Sequence, residues 1–315
     1  MKILVTGGCG YKGSILIPKL LDEGYQVINV DNQWFGNYLP QHKNLTNLKK
    51  DIRDIEAIPM SNIDSIIHLA NIANDPAVEL NPTLSWEINV LASQQLADKA
   101  VRNNVKQFIF ASSGSVYGIK SEPNVTEDLP LIPISTYNKT KMVAERIFLS
   151  YRDEMKIHCI RPATVCGVSP RMRLDVSVNM LTYQALKYGE ITVFGGDQTR
   201  PNIHIKDMIN VYLHFLKNRN LATGCYNAGF ENISILDIAK LVTKNIEAKL
   251  KITNSNDPRS YRQDSTKLEN TGFKPSFNIE KAILEIKEKS LKKDLPDGDN
   301  CYTVKWMKNL DINFD

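Results

Sequence analysis

The chain has 315 residues, 42% of them hydrophobic and 23% charged, with a formal net charge of +4. That length allows about two domains with a sizeable core, and the composition excludes a disordered, collagen-like or low-complexity chain. So small a positive excess points to neither a nucleic-acid nor a membrane surface, and no apolar run approaches the roughly 18 residues that span a bilayer.

Met1-Lys2 leads directly into Ile-Leu-Val and then glycines, without a basic and apolar leader, so a cytoplasmic protein is expected. Cys9, Cys159, Cys166, Cys225 and Cys301 are odd in number, widely spaced and lack a C-x-x-C pair. They are expected to be free thiols, with neither a disulfide framework nor a zinc site, and no metal is expected.

In chain order, β-type runs at Lys2 to Thr6, Gln26 to Val30, Leu48 to Lys50, Ser65 to Leu69, Gln107 to Ala111 and Lys156 to Arg161 alternate with helical patterns. The helical patterns are Ser14 to Glu23, Thr83 to Asn103 and Thr136 to Arg152. Alternation of this kind predicts parallel strands joined by crossover helices, and the absence of polar alternation around Ile109 and Phe110 predicts strands covered on both faces. The expected fold is α/β: a doubly wound parallel-sheet Rossmann domain with a smaller α/β domain. Beyond Arg161 the chain turns irregular, with helical patterns at Val176 to Lys187, Lys206 to Arg219, Ile233 to Lys244 and Ile279 to Lys289. We place the boundary at 1–167 and 168–315, interleaved, with a segment near 203–228 returning to the first domain. The residues through Trp306 are left unassigned.

Thr6-Gly7-Gly8-Cys9-Gly10-Tyr11-Lys12-Gly13 follows the first strand and opens the first helix. This is the setting of a dinucleotide fingerprint, with G-x-x-G-x-x-G spacing at Gly7, Gly10 and Gly13. Missing side chains let the backbone turn tightly and approach a pyrophosphate at the positive end of the helix. Asp31 ends the second strand, where a carboxylate can accept the adenosine ribose hydroxyls. It would repel a 2′-phosphate, and Asn32-Gln33-Trp34 offers no arginine to neutralise one, so NAD is expected. Lys12 is an unusual cation for this loop, open to two readings: a solvent-facing lysine near the phosphates, or a cofactor-selecting residue.

Tyr137-Asn138-Lys139-Thr140-Lys141 lies on a predicted helix, so Tyr137 and Lys141 share one face. A neighbouring ammonium lowers a phenol pKa, which suits Tyr137 to exchanging a proton with a substrate hydroxyl. Upstream, Phe110-Ala111-Ser112-Ser113-Gly114-Ser115-Val116-Tyr117-Gly118 leaves the end of a buried strand, where open α/β sheets bind ligands. Ser113 is the candidate substrate-orienting hydroxyl.

The fingerprint, Asp31, the serine segment and Tyr-x-x-x-Lys together resemble an extended short-chain dehydrogenase/reductase of the NAD-dependent epimerase/dehydratase family, whose members act on nucleotide sugars. His68-Leu69-Ala70 is similar to the family's H-L-A-A, and the run from Gly195 through Arg200, His204 and Asp207 is similar to its G-x-x-x-R-x-x-I-H-V-x-D. The resemblance implies a catalytic triad of Ser113, Tyr137 and Lys141. It implies cofactor contacts from Gly7, Gly10, Tyr11, Lys12, Gly13, Asp31, Asn32, Asp51, Ile52, Leu69, Ala70, Asn89, Ser112 and Pro162 beside the triad. For the nucleotide diphosphate sugar it implies Ser113, Ser115, Thr164, Arg171, Asn179, Arg200 and Arg259, guanidinium forks suiting phosphate oxygens.

Family dehydratases place an Asp-Glu pair after the catalytic hydroxyl residue, whereas Gly114 and Ser115 stand here, so simple redox at C4 is expected. A 4-keto sugar re-reduced on its opposite face gives a 4-epimerase; released, it gives a 4-dehydrogenase. Ser169-Pro170-Arg171-Met172-Arg173-Leu174-Asp175 resembles a subgroup that includes enzymes oxidising GDP-linked heptoses, so both outcomes stay open, as do sugar and base. The complete triad argues against a catalytically idle NAD-binding regulator. By analogy with the family, the helices at Thr83 to Asn103 and Thr136 to Arg152 imply a homodimer.

Overall fold

The computed structural model describes residues 1–254 and 260–310. Its first half runs β1 (Lys2–Thr6), α1 (Gly13–Asp22), β2 (Gln26–Asp31), β3 (Leu45–Lys49), β4 (Ser65–His68), α2 (Asp75–Val78), α3 (Pro82–Trp86), α4 (Ala92–Arg102), β5 (Gln107–Ala111), α5 (Thr136–Ser150) and β6 (Lys156–Pro162). The second half continues with β7 (Thr164–Cys166), α6 (Ser177–Tyr188), β8 (Glu190–Phe194), β9 (Thr199–His204), α7 (Ile205–Lys217), β10 (Gly224–Ala228), β11 (Glu231–Ser234), α8 (Ile235–Asn245), β12 (Lys249–Thr253), α9 (Thr266–Glu269), α10 (Ile279–Leu291) and α11 (Thr303–Asn309).

Seven strands form one sheet in the order β10-β6-β5-β4-β1-β2-β3, every pair parallel. Alternate residues feed two cores, as strands covered on both faces require. Phe108 and Phe110 face Phe148 of α5, while Ile3, Val5 and Ile109 pack with Leu16 and Leu20 of α1 and Phe215 of α7. The fold class expected from the sequence is the one observed. β10 completes the sheet beside β6, its Cys225 in register with Cys159.

Strand order reverses at β1, which lies between β2 and β4. A crevice opens outside the carboxyl ends of strands at such a switch point. The second half supplies the crevice's other wall: β11-β9-β7 and β12-β8, backed by a core of Val178, Leu181, Ile191, Val193, Ile238, Val242 and Ile283. These five short strands sit within the region read as irregular.

The pattern read as one helix over Thr83 to Asn103 is three pieces, because a wide π-type turn at Glu87–Leu91 separates α3 from α4. Asn89 within it is buried; its Oδ1 accepts the Ile72 N–H at 2.9 Å and its Nδ2 donates to Thr140 Oγ1 at 3.2 Å. His68 is held between Thr6 Oγ1 (2.6 Å) and Ser93 Oγ (2.9 Å), and burial pushes its pKa down to about 3, so it is a neutral structural residue. Among the described residues no helix is long and apolar enough to cross a membrane.

Candidate active site

The crevice holds a cavity of about 770 Å³, the size of a substrate and cofactor site. Six cationic side chains (Lys12, Lys50, Arg171, Arg173, Arg200 and Lys305) and three anionic ones (Asp31, Asp75 and Asp175) line it. That surplus of positive charge suits anionic ligands.

One end is built by β1, the glycine turn and β2. Gly13 is dictated by the chain itself, since a Cβ there would stand 2.4 Å from the Gly8 Cα. Gly10 differs: a Cβ would meet only the Gly7 carbonyl, at 3.3 Å, and otherwise project into the space it borders. One glycine thus serves packing and the other leaves room for a ligand against the backbone, which fits a dinucleotide. Asp31 Oδ2 accepts the Cys9 N–H (2.9 Å) and Oδ1 the Gln33 N–H (2.6 Å). Burial raises the Asp31 pKa, while these two donors and Arg171 oppose the rise.

The middle of the cavity is lined by Ser112, Ser113, Ser115 and Tyr137. Ser135 caps α5 by accepting the Asn138 N–H at 3.2 Å, so Tyr137 is delivered from the first turn of the helix. Ser113 Oγ lies 2.8 Å from Ser115 Oγ, and its hydroxyl acts on the Tyr137 phenol. The phenol pKa stands at about 12, against the lowering expected from Lys141. Burial raises it most, the Ser113 hydroxyl lowers it, Asp75 raises it and Arg173 lowers it.

Lys141 does not line the cavity. Its Nζ donates to the Ala111 carbonyl at 2.7 Å and lies 4.7 Å from the centre of the Phe110 ring, because a buried ammonium must satisfy its donors locally. Burial and Lys12 push its pKa well down, opposed by Glu145. Lys12 itself faces the cavity, its pKa pushed down to about 8 by burial and Arg173.

Of the remaining expected contacts, Tyr11, Asn32, Ile52, Leu69, Ala70, Pro162, Thr164, Arg171 and Arg200 border the cavity with Gly7, Gly10 and Gly13. Three do not. Asp51 binds Arg53 in an ion pair at 3.1 Å. Asn89 lies behind the wall formed by Ile72 and Ile88. Asn179 is fully buried, its Oδ1 accepting the Gly167 N–H (2.9 Å) and its Nδ2 donating to the Tyr11 hydroxyl (3.0 Å) and the Arg173 carbonyl (2.8 Å). Its amide is spent on holding the segment that carries Arg173. Arg259 lies outside the described residues.

Sequence reasoning missed Arg173, Asp175, Asp75, Tyr261, the Trp34-Phe35 pair and the Tyr302 to Met307 stretch, all of which border the cavity. Arg173 Nε donates to Asp175 Oδ1 at 2.8 Å, and Asp175 Oδ2 accepts the Thr303 N–H at 3.0 Å. The Trp34 carbonyl accepts the Trp306 indole N–H at 2.6 Å. The arginine-rich run was the only available signal for Arg173. Nothing local marks residues brought in from the far end of the chain.

Known proteins match this arrangement. A model of the NAD dependent epimerase/dehydratase family matches residues 3–229. UDP-glucose 4-epimerase of Lactobacillus helveticus is 30% identical over 90% of this chain and 95% of its own. The crystal structure of UDP-glucuronic acid 4-epimerase from Bacillus cereus, in complex with UDP-glucuronic acid and NAD, is 29% identical with a TM-score of 0.79, covering 91% of this chain and 99% of that one. UDP-glucose 4-epimerase from Thermotoga maritima, solved with UDP-glucose, is 26% identical with a TM-score of 0.81, covering 93% and 99%. With its glycine turn, its Asp31 and a family match over most of its length, the chain belongs to the NAD dependent epimerase/dehydratase family and is an NAD-dependent enzyme.

Proposed function

We propose that this enzyme is a nucleotide-sugar 4-epimerase that works through a transient 4-keto sugar. The observation that carries the reading is that Tyr137, Ser113 and Ser115 together line the wall of a cavity bordered at one end by the glycine turn and Asp31, and elsewhere by Arg200 and Tyr261. The epimerases named above, similar along nearly their whole length, support it.

When bound, NAD supplies the hydride acceptor for C4 and returns the hydride in the second half-reaction. Tyr137 takes the proton of the 4-hydroxyl as C4 is oxidised, and gives it back when the ketone is reduced on its opposite face. Ser113, its hydroxyl held by Ser115 on the same wall as Tyr137, orients that oxygen. Arg173 favours the phenolate, and Lys141, fixed on the Ala111 carbonyl, holds the end of β5 that leads into Ser112 and Ser113. Arg200 and Tyr261 hold the nucleotide diphosphate, with Thr164 and Ser115 beside the sugar. Gly114 and Ser115 carry no acid for eliminating water, so the chemistry stops at C4. We further place the enzyme in the cytoplasm, as a homodimer, in sugar or surface-polysaccharide biosynthesis.

The test is to incubate the purified protein with UDP-, GDP-, CDP- and dTDP-sugars while following C4 configuration by NMR and reduced nicotinamide by absorbance. Inverted C4 without net NADH is expected with a cognate sugar; accumulating NADH would make the enzyme a 4-dehydrogenase instead. Tyr137→Phe should cut turnover by at least about 100-fold and leave NAD bound. Full activity of that variant removes Tyr137 from the mechanism.

A further inference from the structure

The positive charges around the cavity are not equally provided for. Arg173 is paired with Asp175, whose second oxygen takes the Thr303 amide. Arg171, two residues earlier, is 4% exposed and has no such partner. Among the described residues its Nη1 and Nη2 make only long contacts, 3.5 Å to the Met172 carbonyl and 3.4 Å to Thr303 Oγ1, and its buried Nε has no hydrogen-bond partner. Among the described residues no carboxylate lies within ion-pair distance of it. A buried guanidinium with an idle donor is costly unless an anion meets it, and Arg171 borders the ligand cavity.

Its surroundings say which anion. The guanidinium lies 4.0 Å from the centre of the Phe35 ring, in the loop that follows Asp31, and close enough to Asp31 to oppose the rise in that carboxyl's pKa. This is the dinucleotide end of the cavity. The chain's C-terminal stretch locks the guanidinium there: the Leu174 N–H donates to the Cys301 carbonyl (2.9 Å), Asn300 Nδ2 to the Phe35 carbonyl (3.5 Å) and the Trp306 indole to the Trp34 carbonyl (2.6 Å). Met307 of α11 is buried in the core of the first half.

We propose that Arg171 is a cofactor anchor, assigned by sequence resemblance to the sugar nucleotide but in fact gripping the pyrophosphate of NAD from the second half of the chain. The residues from Asn300 to Met307 are its brace. An enzyme that reuses one cofactor through every turnover gains from such a hold, whereas one that exchanges NADH does not. The inference rests on NAD as the cofactor and not on the identity of the sugar.

The test compares wild-type protein, stripped of resident nucleotide with charcoal, with R171M and R171K. Each is titrated with ADP-ribose, adenosine and UDP by isothermal titration calorimetry; NAD retained through gel filtration is assayed on untreated samples. R171M should weaken ADP-ribose by about 10- to 100-fold and lose its retained NAD, with adenosine and UDP within about twofold of wild type. R171K, a point charge without the fork, should fall between, and it decides the question if R171M does not fold. UDP weakened with ADP-ribose spared returns Arg171 to the substrate and overturns the proposal. Unchanged ADP-ribose binding, or adenosine weakened equally, also overturns it. A wild-type protein that binds UDP but not ADP-ribose faults the cofactor assignment instead.

Discussion

Tyr137 was legible from its spacing to Lys141, but its electrostatics were not, because spacing shows which face two residues share and not where their tips lie. Lys141 turns to the Ala111 carbonyl, and the charges that act on the phenol come from elsewhere: Asp75 in α2 and Arg173 ahead of α6. The two act with opposite sign, which gives a pH prediction. The active form is the phenolate, so the acid limb of kcat follows the Tyr137 pKa. Arg173 lowers that pKa; R173M should raise it, moving the limb to higher pH and reducing the rate near pH 7. Asp75 raises it; D75N, which can still accept the Ser135 hydroxyl, should move the limb to lower pH. Profiles of kcat between pH 5 and 10 read both shifts, and equal or reversed shifts would exclude Arg173 and Asp75 as tuners of Tyr137.

At the scale of elements, α5 is held in place by polar groups as well as by Phe148. Glu145, two turns beyond Tyr137 on the same helix, accepts Ser112 Oγ at 2.5 Å and binds Arg161 of β6 at two points, 2.9 and 2.8 Å. Arg161 reaches on to the Tyr117 hydroxyl at 2.7 Å, and Tyr117 to Asn227 of β10 at 2.8 Å. Both members of the ion pair are almost fully buried. Removing one partner strands the other, so E145A should lose about 3–5 kcal/mol of stability, measured by urea unfolding of the NAD-bound protein. A loss under about 1 kcal/mol would mean that water enters to solvate Arg161. The alternation of strand and helix that sets α5 and β5 beside each other could be read from apolar periodicity. The π-type turn at Asn89 could not, because its cause is a side chain reaching Ile72 and Thr140 in other elements.

Over the whole molecule, the exposed Trp86 (37%) and Leu91 (52%) on the α3–α4 segment are consistent with the homodimer proposed above. Sedimentation should give a mass near 71 kDa, twice the 35.6 kDa chain, and L91D should shift it to the monomer without loss of bound NAD. A wild-type protein that sediments as a monomer at micromolar concentration contradicts the dimer.

The doubly wound sheet, the glycine turn, Asp31 and the serine and tyrosine segments were readable because each is local: a periodicity, a turn needing missing side chains, or residues one helical turn apart. The five short strands of the second half, the burial of Asn179 away from the cavity and the approach of Arg171, Arg173 and the Tyr302 to Met307 stretch to one crevice were decided by tertiary structure. Those residues depend on contacts across more than a hundred positions of chain, where a side chain's partner is set by how two cores pack together and leaves no periodic trace in the sequence.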